Sequence, residues 1–142
     1  MRGIGYLLDT NVISEVRKRN GSAQVKGWIA EANGPTLYLS SLSVGEIRRG
    51  IESRRRTDPK QAVALERWLH GLHLQFRDRI VPVTPAVADE WGRLNALRTL
   101  PTMDGLIAAT ARVNGWTLVS RNVRDFLGTG VSVINPFEPI AP

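Results

Sequence analysis

Cysteine is absent from the 142 residues, which rules out a disulfide framework and a thiolate metal site. Histidine is almost as scarce. Only His70 and His73 occur, both on the polar side of a long amphipathic stretch, so zinc is poorly served. No apolar run approaches the roughly 20 residues that a membrane-spanning helix needs. Asp9 interrupts the first apolar run too early for a signal peptide, so a cytoplasmic protein is expected. The nucleophile pattern G-x-S-x-G and the phosphate loop G-x-x-x-x-G-K are missing, and hydrolase and nucleotide-hydrolysing readings of those kinds gain nothing. Lysine is limited to Lys18, Lys26 and Lys60, so arginine supplies most of the positive charge.

What is present begins with that charge. Nineteen basic against 13 acidic residues give a formal net charge of +6. Arginine favours planar, bidentate contacts with phosphate, and such a surface attracts a polyanion. The same excess would also serve plain solubility. An apolar content of 42% spread along the chain argues for a packed core. The length suits one domain, residues 1–142.

Periodicity predicts strands over 4–8, 36–40, 79–83, 117–119 and 131–134. Helices are predicted over 11–18, 22–32, 43–54, 60–76, from Thr84-Pro85 onward, and over 104–113. The run from Arg54 to Pro59 reads as a charged, solvated turn, and 99–103 as a loop. Strands alternating with helices in this way predict an α/β fold with a central parallel sheet.

Four acids fall where such strands and helices end or begin. Asp9 closes the run Tyr6-Leu7-Leu8; it could cap the helix that follows or stand at the sheet edge, where open parallel sheets place their sites. Glu46 completes Ser43-x-x-Glu46, a capping box. It also lies opposite the Val44, Ile47 and Ile51 stripe, on a face with small Ser43, Gly50 and Ser53. Asp104 sits in the first turn of an alanine-rich helix, where the macrodipole favours a negative charge. Asp125 follows the 117–119 strand by a short turn, and either caps a helical turn or joins the others. Carboxylates gathered together repel, and a divalent cation such as magnesium or manganese removes the conflict through oxygen ligands.

Taken in order, these stretches resemble a known family. Leu8-Asp9-Thr10-Asn11, then Ser43-x-Gly45-Glu46-Ile47-Arg48-Arg49-Gly50-Ile51, are similar to a PIN-domain nuclease. Asp104-Gly105-Leu106-Ile107-Ala108-Ala109-Thr110-Ala111 and Ser120-Arg121-Asn122-x-x-Asp125-Phe126 extend the likeness, which runs almost to Asn135-Pro136-Phe137. It is greatest to the VapC/FitB-like toxins of bacterial type II toxin–antitoxin pairs.

The resemblance implies a three-layer α/β/α domain and a ribonuclease dependent on Mg²⁺ or Mn²⁺, cutting RNA with a metal-activated water. Asp9, Glu46 and Asp104 stand where the family has its core acids. For the fourth, some relatives carry an acid at the position of Asn122, and others rely on that of Asp125. Thr10 stands where the family has a hydroxyl beside the first acid. Arg48, Arg49, Arg121 and Arg124 are expected at the rim, against RNA phosphates. A homodimer, a cognate antitoxin covering the site and a heterotetramer or larger assembly are also implied. The alternative is a non-catalytic PIN-like domain that acts with its partner on DNA as a repressor. A haloacid-dehalogenase-type phosphatase needs a second Asp where Asn11 stands, and a receiver domain needs a late lysine; neither fits.

Overall fold

The structure is a computed structural model that describes residues 4–139; the ends of the domain span expected from the sequence, 1–3 and 140–142, lie outside the described residues. Five short strands form one parallel sheet in the order β3-β2-β1-β4-β5, with β1 Tyr6–Leu8, β2 Leu37–Ser40, β3 Ile80–Val81, β4 Thr117–Val119 and β5 Val133–Ile134. β1 is central, with Leu8 beside Val119 in the register against β4. The chain winds outward on the β2 side and then returns to the β4 side, which opens a crevice beyond the carboxyl ends of β1 and β4.

Helices α1 Thr10–Arg17, α2 Ala23–Glu31, α3 Ser41–Thr57 and α4 Pro59–Phe76 cover one face. Their core joins Val12, Ile13, Val25, Ile47, Ile51, Leu69 and Phe76 to Leu8 and Leu39 of the sheet. Helices α5 Pro85–Leu97 and α6 Thr102–Asn114 cover the other face. There Val87, Leu94, Ile107 and Ala108 meet Leu7 and Leu118. Alternate residues of β1 thus feed opposite cores, as the period of a strand requires, and the α/β/α expectation holds. Among the described residues no helix is long and apolar enough to cross a membrane.

Two local expectations are corrected. The Ser43–Glu46 capping box does not form, because α3 starts earlier: Ser40 is the N-cap, its Oγ accepting from the N–H of Leu42 at 3.0 Å. Ser43 lies inside the helix on the buried stripe with Ile47 and Ile51, not on an open face with Glu46. The Arg54–Pro59 turn shrinks to one residue. Helix α3 runs through the arginines to Thr57, and Asp58 both ends it and caps α4, accepting from the N–H of Gln61 at 3.2 Å. Pro59 at the first helical position makes that corner sharp, since it has no N–H to lose. Asp58→Ala is therefore expected to lower stability by about 1 kcal/mol, read as a lower urea midpoint at unchanged slope.

The hairpin of α3 and α4 is also tied on its surface, where Arg48 and Arg55 bridge Glu52 and Glu66. The histidines behave as expected: His70 and His73 are exposed on α4.

Candidate active site

Asp9 is the first residue past β1, and its N–H still donates to the carbonyl of Val119 at 2.9 Å. Its two oxygens do different work. Oδ1 caps α1 by accepting from the N–H of Thr10 at 2.8 Å. Oδ2 accepts from Ser120 Oγ at 2.7 Å, with Asn11 Nδ2 at 3.4 Å. Capping and site readings thus describe the same side chain. With only 5% of its surface exposed, burial raises its pKa; the Ser120 and Thr10 hydrogen bonds oppose the rise, and the charge of Glu46 adds to it.

Glu46 is exposed on α3 and reaches back to α1. Thr10 Oγ1 donates to Glu46 Oε1 at 2.9 Å and shares a hydroxyl–hydroxyl bond with Ser43 Oγ at 2.9 Å. The buried Ser43 thereby fixes Thr10, and Thr10 fixes the carboxylate next to Asp9.

Asp104 enters from the other face of the sheet, in the first turn of α6. The neighbouring Gly105 lets α6 approach α5: a Cβ there would stand 3.0 Å from the Trp91 indole. Half-buried, Asp104 has its pKa raised by desolvation first, then by the negative charges of Asp9 and Asp125. Asp125 is exposed within the 3-10 turn Val123–Phe126, whose N-cap is Asn122, so it does not cap that turn. Asn122 lies beside it, its N–H donating to Ser120 Oγ at 3.0 Å.

The rim arginines separate. Arg121 and Arg124 line a polar depression with Asn122 and Asp125, and Arg121 lies 4.5 Å over the Phe137 ring. Arg48 is instead engaged by Glu52 at 3.1 Å and Glu66 at 2.5 Å. Arg49 faces a shallow basin with Ser53, Arg55 and Arg56, which none of the clustered acids lines.

Sequence reasoning read Ser43 only as a cap and gave Ser120 no role, yet both are wholly buried and bonded into the cluster. A signal for Ser120 existed. It follows β4 as Asp9 follows β1, and these strands are in register.

Among the described residues no three acidic, histidine or cysteine side chains close into a ready-made metal cage. The donor set still suits a hard dication, which uses one or two carboxylates and completes its shell with water and phosphate oxygens. Burial and like charge both push Asp9 and Asp104 toward protonation, and a cation reverses that balance. Zinc finds no nitrogen or sulfur ligand here.

The PIN domain family matches residues 6–129. The chain is 36% identical over 137 residues to the plasmid stability protein StbB of Pseudomonas syringae pv. tomato, covering 93% of this chain and 98% of that one. It is 32% identical over 139 residues to the VapC ribonuclease Y4jK of Sinorhizobium fredii, covering 94% and 98%. Among solved structures, FitAB bound to an IR36 DNA fragment superposes with a TM-score of 0.89 at 28% identity, covering 96% of this chain and 98% of that one.

Proposed function

This chain belongs to the PIN domain family, and from that premise we propose that it is a divalent-metal-dependent endoribonuclease, the toxin of a type II toxin–antitoxin pair. One observation carries the reading. Though distant in sequence, Glu46 bears electrostatically on Asp9, and Asp9 and Asp125 on Asp104, with Thr10 bonding both Glu46 and Asp9, in a protein of net charge +6. Repelling carboxylates drawn together serve the fold poorly without a cation.

Asp9 and Asp104 are the residues that would hold Mg²⁺ or Mn²⁺, with Glu46 and Asp125 completing its surroundings. When bound, the ion supplies a Lewis acid that lowers the pKa of water and offsets phosphoryl charge. The chain supplies the rest. Ser120 and Asn11 orient Asp9. Thr10 and Ser43 orient Glu46 by its Oε1, which leaves Oε2 to take a proton from the attacking water. Arg121 and Arg124 would place the RNA backbone through phosphate contacts, which add affinity but little sequence choice.

On this reading residues 1–142 are a single PIN domain working in the cytoplasm. Its partners are RNA, a cognate antitoxin covering the site and a second copy of the chain. The FitAB relative is bound to DNA, so DNA binding is assigned to the assembly with antitoxin, and cleavage to this chain. The test is to incubate purified protein with transfer and ribosomal RNA plus Mg²⁺ or Mn²⁺ and map the new ends. Discrete cuts that vanish with EDTA are expected; cutting that persists in chelator, or no cutting with either ion, sinks the reading.

A further inference from the structure

Beside the acids, on the α1/α3/α4 side, runs a groove of about 240 Å³. Thr10, Glu46, Ile51, Trp68, Arg17 and Arg54 are among the residues that line it. We propose that this groove holds the nucleotide next to the scissile phosphate of single-stranded RNA, its phosphate against Arg17 and Arg54 and its base against Trp68. The inference rests on the ribonuclease reading above.

Continuity is the first argument. The groove shares Thr10 and Glu46 with the acid cluster, so it offers a strand cut at the cluster a continuous path. Charge is the second. Arg17 lies 5.8 Å over the Trp68 ring and Arg54 bonds the Gln61 amide; among the described residues neither has a carboxylate partner, whereas Lys18 is paired with Glu15 at 3.2 Å. Guanidinium groups without a carboxylate partner beside the half-buried Trp68 indole suit a phosphate and an unstacked base.

The third argument is Gly50, which also lines the groove. Glycine inside a helix costs roughly 0.8–1 kcal/mol relative to alanine. Packing does not require it, since a Cβ there would meet nothing within 4 Å. The position therefore has room for a larger side chain, which would take up space in the groove.

Gly50→Leu fills the groove on a helix that leucine favours, so folding is preserved. Wild type and variant are compared, with Mn²⁺, on a single-stranded RNA oligomer and on bis-p-nitrophenyl phosphate, a diester with no neighbouring nucleotide. The RNA kcat/KM is expected to fall roughly tenfold or more, and the small diester far less. Arg54→Ala should raise the KM for RNA and flatten its salt dependence. Equal losses on both substrates, or RNA cleavage untouched by Gly50→Leu, overturn the subsite while leaving the ribonuclease in place; the latter result makes the groove a protein-docking surface or plain exterior. A wild type that hydrolyses neither substrate overturns the ribonuclease reading, and the subsite with it.

Discussion

Asp104→Asn is expected to abolish metal-dependent RNA cleavage, by roughly 100-fold or more, and to leave a cooperatively folded protein. Loss of a group that only orients a metal ligand already costs about 10–100-fold, and in the proposed mechanism Asp104 is a ligand itself. The fold has little stake in its charge. Among the described residues the carboxylate has no hydrogen bond or ion pair, and its electrostatic neighbours are the acids Asp9 and Asp125. Asparagine keeps the shape and forfeits a macrodipole contribution of about 0.3–1 kcal/mol, while relieving the repulsion. Labelled-RNA cleavage with Mn²⁺, set beside a circular-dichroism melt, checks both halves. Full activity in the variant would remove Asp104 from the site.

Glu46 behaves differently, and the contrast shows what the sequence could carry. Asp9 and Asp104 were legible because each ends an apolar stretch or begins one: Tyr6–Leu8 stops at Asp9, and an alanine-rich run opens at Asp104. Parallel strands alternating with helices then bring such ends to one rim. Glu46 could be singled out as a candidate, but its hydrogen-bond partner could not. The local pattern offered Ser43 as a cap, while Ser40 and Ser41 were equally available a few residues earlier. Burial decides between them, since Ser43 sits at 0% exposure on the stripe with Ile47 and Ile51. There it meets Thr10, 33 positions away, a contact no local pattern contains.

The arginines make the same point from the surface. Composition tells how much positive charge there is, not which charges are already neutralised. Arg48 stands two residues from Glu46, which recommends it as a rim residue. Only the packing of α4 on α3 brings Glu66 to within 2.5 Å of it. Conversely, the sequence singled out neither Arg17 nor Arg54 as a rim residue, and one groove lined from α1, α3 and α4 holds both. The turn at Asp58 was misread for a related reason. A run of charge resembles a solvated loop, yet arginine is a good helix former, and the ion pairs with Glu52 and Glu66 hold it in α3.

Asp9→Asn is expected to inactivate the protein and, in chelator at neutral pH, to raise its melting temperature by a few degrees. The buried carboxylate accepts from Thr10 and Ser120, but these bonds do not offset burial, because the net shift of its pKa is upward from the ordinary 3.8. Asparagine keeps the acceptor for Thr10, and Ser120 can turn its hydroxyl to accept from the new amide. The sign of the pH dependence follows from the direction of that shift. Below 3.8 the carboxyl is protonated in both folded and unfolded chains and costs nothing. As pH rises toward the elevated folded value, the unfolded chain releases its proton first and gains stability relative to the folded one. Above the folded value the penalty is complete, so the variant's advantage opens with rising pH and closes in acid. Divalent cation should reverse the order. Binding at about 100 times its Kd would add roughly 2.7 kcal/mol to the wild type, and far less to the variant if Asp9 is the ligand proposed. A chelated variant that melts below the wild type at neutral pH would mean that the carboxylate serves the fold through its hydrogen bonds, not as a charge held at the fold's expense for a cation.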